Sequence, residues 1–328
     1  MLRLRFFLPP IVYAILLGAC SWGGGVAPIA GDRSTGSGAL QARGADAAAS
    51  TSARGAAPSK FRIYVANLGG DNVTAYGLDG KLATTITAGI DAPFGVTVDK
   101  AGKIYVTNTL PHTGGNVTTY TPDGKQTAPT ITDGIAFPVG VLVDKRGKIY
   151  VSNFNNYSGN GYVSTYKPDG TRTTPTITTG VDGPAGLAVD ASGKIYVVNA
   201  FNNTVTTFKP DGTQTTPTIS TGLDAPYDVA VDANGKIYVA NHSGGRHNLG
   251  FVSTFTADGE QTTPTISAGV VNASGVALAT SGNIYVANQF GPGDKGGFGS
   301  VTTYTADGKR TAPTITIGIG VPGFITLH

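Results

Sequence analysis

The phrase Ile-Tyr-Val-x-Asn occurs six times, at residues 63–67, 104–108, 149–153, 195–199, 237–241 and 284–288, spaced 41 to 47 residues apart. A period of that size limits the chain to a repeat architecture in which each unit buries its apolar face against the next. The unit from 184 to 222 shows what is repeated. Leu187-Ala188-Val189 is a short apolar run, and Asp190-Ala191-Ser192-Gly193 has the chemistry of a turn. Ile195-Tyr196-Val197-Val198 follows, β-branched and aromatic, then Val205-Thr206-Thr207-Phe208, mixed as a half-buried strand should be. Asp211-Gly212 marks a tight hairpin before Thr218-Ile219-Ser220. Four short antiparallel strands are predicted, and no helical period is present in the unit.

The other units agree. The Asp-Gly hairpin recurs at Asp79, Asp123, Asp169, Asp258 and Asp307, and proline enters the fourth strand at Pro129, Pro175, Pro217, Pro264 and Pro313. Proline cannot donate to a ladder, so these strands belong at the outer rim, where proline also discourages edge pairing. The Gly-Leu-Ala-Val run then lies at the inner edge. The first phrase (63–67) has no first strand before it, and residues 322–327 read as a first strand with nothing after it. Pairing of these two segments completes one composite blade. The expected fold is all-β: a six-bladed β-propeller of four-stranded antiparallel blades, closed by its N- and C-terminal strands and spanning residues 59–328.

The pattern Pro-x-Gly-hydrophobic-Ala-Val-Asp…Gly-Lys-Ile-Tyr-Val-x-Asn resembles NHL-type repeats. More loosely it is similar to the six-bladed propellers of the gluconolactonase and streptogramin (virginiamycin B) lyase groups. The resemblance implies the fold over residues 59–328. For activity, the gluconolactonase group implies metal ligands from Asp or Asn at strand ends beside a Glu, and the lyase group a His and Glu pair near the channel. This chain has one glutamate, Glu260, in an outer turn, and so departs from both patterns.

Before the propeller, Arg3 and Arg5 precede a mostly apolar stretch, Phe6 to Leu17, too short to span a bilayer. It ends in Leu17-Gly18-Ala19-Cys20, which resembles a bacterial lipobox. Residues 1–19 are therefore expected to be a lipoprotein signal peptide and Cys20 the lipidated residue; an ordinary secretory signal is the other reading. Cys20 is the only cysteine, which excludes a disulfide framework. Residues 20–58, rich in Gly, Ala and Ser, are expected to be a flexible linker. The predicted location is the bacterial cell envelope, lipid-anchored and extracytoplasmic. The formal charge of +3 falls to +1 without Arg3 and Arg5 (3 − 2), which argues against nucleic acid as a partner.

Between the phrase's Asn and the Val of the third strand lie 5, 8, 9, 5, 10 and 12 residues, whereas the turns expected on the opposite face are nearly uniform. Insertions that collect on one face mark a binding face. Its candidates are Phe94 and Tyr227, expected as aromatic surface at the channel mouth, with Tyr157, Arg246, His247 and Phe290 in the loops. Asp228 replaces a glycine found at Gly95, Gly140, Gly186 and Gly275. It is expected to point to the channel mouth near Asn241 and His242, and these three are the metal candidates. Asp91, Asp182 and Asp224 lie on the same rim, and such oxygens suit Ca²⁺; capping of turns is the alternative. The ring of phrase asparagines is expected to be structural, bonding the loop that follows each of them. Two functions stand side by side: a non-catalytic scaffold binding a protein, glycan or small ligand, and a metal-dependent lactonase or lyase at the channel mouth.

Overall fold

The computed structural model describes residues 62–109, 114–154, 161–242, 250–290 and 299–328. The expected signal peptide, Cys20, the linker, and Tyr157, Arg246 and His247 lie outside the described residues.

Six four-stranded antiparallel sheets make up the molecule. Blade 1 is the composite: Pro322–Leu327 is its inner strand, followed by Arg62–Asn67, Asn72–Gly77 and Leu82–Ile86. Blades 2 to 6 are each continuous in sequence, with inner strands Pro93–Val98, Pro138–Val143, Pro184–Val189, Pro226–Val231 and Ala273–Leu278. Ile63 pairs with Leu327 and Val65 with Ile325, and the Arg62 and His328 backbones exchange two hydrogen bonds of 2.7 and 3.0 Å. The ring is therefore closed by a ladder that joins its two ends.

Burial follows the sequence pattern. Second strands are buried throughout or nearly so, whereas four of the six outer strands alternate exposed and half-buried positions before a buried Ile, and the blade 4 strand differs only in burying Pro217. The outer-strand prolines add a contact that edge protection alone did not foresee. A Cβ placed on Gly170 would lie 2.6 Å from Pro129 Cβ, and one on Gly212 2.7 Å from Pro175 Cβ. Each of these prolines packs on the Asp-Gly hairpin of the next blade, so the glycine is needed for close approach as well as for its positive φ.

The phrase asparagines are all buried, and each makes the same two links. Its Nδ2 donates to a hydroxyl of the third strand (Thr74, Thr118, Ser164, Thr206, Ser253 or Thr302) at 2.9 to 3.0 Å. Its Oδ1 accepts a backbone amide from the segment that enters the inner strand, at Gly320, Asp91, Ala136, Asp182, Asp224 or Val271, at 2.9 to 3.2 Å. The structural role stands, but the loop held by Oδ1 is the one preceding the inner strand, not the one that follows the asparagine.

Candidate functional site

On the long-loop face, every blade presents two residues at fixed places. One follows the asparagine: Leu68, Thr109, Phe154, Ala200, His242 and Gln289 in blades 1 to 6. The other precedes the inner strand: Val321, Ala92, Phe137, Gly183, Ala225 and Asn272. The amide of the first donates to the carbonyl of the second in all six blades, at 2.9 to 3.1 Å. Side chains on this ring are thus set at equivalent positions by backbone bonds, and differences between blades are differences of residue alone.

In blades 3 and 4 the ring is apolar. Phe154 stacks edge-on against Phe201, with centroids 4.7 Å apart, and packs beside Phe137 at 6.4 Å. In blades 5 and 6 it is polar. His242 Nε2 is 2.9 Å from Gln289 Oε1, and Asn272 Nδ2 is 3.3 Å from both ring nitrogens. The amide oxygen can only accept, so Nε2 carries the proton and Nδ1 accepts from Asn272. Burial pushes the His242 pKa down, against the hydrogen bond to Gln289. Tyr227 stacks on the imidazole at 5.0 Å. Asn272 Oδ1 is buried and has no hydrogen-bond partner among the described residues. Phe290, next in sequence to Gln289, is half-buried.

The channel axis corrects two expectations. Phe94 and Tyr227 are not surface: they are 1% and 3% exposed. Together with Phe324 they plug the channel on the long-loop side, with centroids 6.0 Å (Phe94–Tyr227) and 5.2 Å (Phe94–Phe324) apart. The inner strands approach so closely here that three large rings fill the opening. Nor does Asp228 share partners with Asn241 or His242. It lines a cavity of about 220 Å³ in the half of the channel nearer the uniform turns. Its Oδ1 accepts the Val229 amide at 2.9 Å and its Oδ2 the Val276 amide of blade 6 at 3.0 Å.

That second bond has counterparts. Thr107 Oγ1 donates to Val139 O of the next blade, Ser152 Oγ to Ala185 O, and Ser274 Oγ to Pro322 O, at 2.6 to 2.9 Å. Each hydroxyl ties one blade to the next near the axis. Asp228 does the same with reversed polarity, accepting instead of donating. Burial raises its pKa to about 7, against two amide bonds that favour the charged form.

As metal candidates, Asp228, Asn241 and His242 hold separate partners. Both Asp228 oxygens face amides, Asn241 links its two loops, and the His242 nitrogens face Gln289 and Asn272. No group of three His, Cys, Asp or Glu residues with metal-holding geometry occurs among the described residues. Asp91, Asp182 and Asp224 contribute backbone amides to the asparagine ring. Sequence reasoning missed Gln289 and Asn272; a column-by-column comparison of the six units shows both as polar residues at otherwise mostly apolar places.

No protein-family model matches the chain, and no curated protein sequence matches it significantly. Solved structures do match in shape. A protein of unknown function from Bacteroides caccae superposes with a TM-score of 0.63 at 14% identity, covering 81% of this chain and 98% of that one. A chain of a nidogen/laminin complex superposes with a TM-score of 0.64 at 16% identity, with the same coverage. At such identities the likeness shows the six-bladed propeller fold and no activity.

Proposed function

We propose that this chain is an extracytoplasmic binding scaffold, an NHL-like propeller held to a membrane through a lipid on Cys20, with its long-loop face turned to a protein, glycan or small ligand. The observation that carries this reading is the polar group of His242, Asn272 and Gln289 at ring positions that are apolar in blades 3 and 4. It lies at the base of the two longest insertions, 10 and 12 residues. Buried polar groups cost stability unless fully partnered, and Asn272 Oδ1 is not, so a cluster of them at one sector of an otherwise regular ring argues for selection on recognition. A chain of similar fold takes part in the nidogen/laminin complex, which is in keeping with a propeller presented to a partner. A lactonase or lyase would require His242 and Asp228 to leave the partners they hold.

The test is a loop exchange. Trimming 289–300 to the five-residue length of 200–204 is expected to abolish capture of cell-surface partners with little change in melting temperature. Loss of capture on substituting the turn residues Asp123, Asp169 and Asp211 instead would put the binding face on the wrong side. Anchoring has its own test: Cys20→Ser is expected to abolish lipid labelling, and unchanged labelling would rule the anchor out.

A further inference from the structure

Among the described residues, three large hydrophobic side chains are substantially exposed: Leu78 at 39%, Leu82 at 44% and Ile317 at 75%. Leu78 and Leu82 belong to the last hairpin and outer strand of the composite blade, and Ile317 to the segment that joins blade 6 to it. A Cβ built on Gly318 would be 3.8 Å from Leu82 Cδ2, and Tyr76 Oη donates to Ile317 O, so Leu82 and the 317–318 segment are neighbours.

Each place is occupied differently in the other blades. Where blade 1 has Leu82, the outer strands of blades 2 to 6 begin with Gln126, Arg172, Gln214, Gln261 and Arg310. These polar side chains lie across Gly89, Gly134, Gly180, Gly222 and Gly269 at the preceding blade junctions. Ile317 stands where the other junctions have Ala88, Asp133, Thr179, Thr221 and Ala268. The outer strand of blade 1 is also one residue shorter and lacks the proline that the other five carry. Proline and charge are the devices that keep an edge strand from pairing, and this edge has neither: residues 82–90 carry no charge.

We propose that blade 1 pairs through its outer strand with a second copy of this chain, edge to edge and antiparallel about a two-fold axis. An uncharged strand is complementary to itself in this arrangement. Centred on Thr84, Leu82 faces Ile86 of the other copy and Ala83 faces Thr85, and Lys81 meets no second lysine. The backbone groups of both edges are satisfied, and Leu82 and Ile317 are covered. An occupant of fixed charge would find no counter-charge along the strand, whereas the copy needs none. The result is an eight-stranded sheet continuous through both composite blades.

Sedimentation velocity on the full chain in detergent, across a range of concentrations, tests this. The parent is expected to sediment as a dimer at high concentration. Leu82→Gln combined with Ile317→Thr, which installs residues used in other blades, is expected to weaken the dimer at least tenfold, a change of about 1.4 kcal/mol. Thr84→Pro, at the place where the other outer strands carry proline, is expected to do the same; the double variant keeps the test valid if proline unfolds the blade. Gln214→Leu in blade 4 is expected to leave assembly unchanged. A parent monomeric at every concentration overturns the proposal, whether the edge is taken by the segment before Arg62, by another protein or by nothing. A dimer insensitive to both blade 1 variants overturns it as well.

Discussion

Blades 3 and 4 and blades 5 and 6 are built on the same backbone, with the same asparagine links and the same ring of carbonyl bonds, yet their upper sectors are chemically opposite. In the first sector Phe137, Phe154 and Phe201 pack as a small aromatic core. In the second, His242, Asn272 and Gln289 form a buried polar group, and Asp228 replaces glycine below it. A fold that solves this packing problem with apolar residues in blades 1, 3 and 4 does not need a histidine and two amides to solve it at one junction. The difference separates what the scaffold requires from what has been added to it.

The largest expected effect removes the frame on which both sectors rest. Deleting residues 322–328 strips blade 1 of its inner strand and exposes the edge of Arg62–Asn67; cooperative melting should be lost, and a deletion that melts like the parent would undo the composite blade. Next, Phe154→Ala in the apolar sector should cost about 3–5 kcal/mol, the range for emptying a buried phenylalanine site, while leaving ligand capture intact. His242→Ala, which gives blade 5 the residue of blade 4, should cost only about 1–2 kcal/mol yet abolish capture. Equal losses of stability at the two sites, measured by chemical denaturation, would erase the proposed distinction.

Asp228 sharpens the comparison through pH. Its folded pKa of about 7 lies above the ordinary carboxylate value, so the native state holds the proton more tightly than the unfolded chain. Its contribution is therefore most favourable at low pH, and stability falls as pH rises from about 4 to 7, by on the order of a few kcal/mol. His242 acts in the opposite sense: its depressed pKa gives a contribution that is complete above the unfolded value and declines as pH falls below about 6.5. Asp228→Gly, which restores the residue of blades 2, 3, 4 and 6, should lower the melting temperature at pH 4.5 through loss of the Val276 tie and change it least, or raise it, at pH 7.5. An unchanged pH slope in that variant would show that this carboxyl does not titrate on folding. The smallest effect belongs to the turn face, where Asp169→Ala should alter neither capture nor melting beyond a slight shift, its carboxylate being fully exposed.

The blade count, the rim position of the proline strands and the closure were legible because each depends on local chemistry repeated several times. A strand phrase, a hairpin glycine and a missing amide carry their meaning with them. The partner of each asparagine oxygen was legible only in part: it lies 17 residues upstream in every continuous blade, a constant separation present in the sequence. Phe94, Tyr227 and Asp228 were placed on the correct strand positions but given the wrong surroundings. How near the inner strands come to one another depends on six blades converging on one axis, as the 2.4 Å from a Cβ on Gly95 to Val139 O illustrates. No single repeat contains that distance.

The clasp between Arg62–Asn67 and Pro322–Leu327 also sets an order of events during synthesis. Blades 2 to 6 each draw their four strands from one continuous stretch, but the ring has no closed form until residue 327 has been made. The joining segments are about 260 residues apart in sequence. Closing so long a loop adds little entropy beyond that of a shorter one, because the cost grows only logarithmically with length. It does make the final contact highly non-local, and contacts of that kind form slowly. Until that contact is made, the edge of Arg62–Asn67 that Pro322–Leu327 covers has no partner strand, so the last seven residues decide whether the other five blades stand as an arc or as a ring.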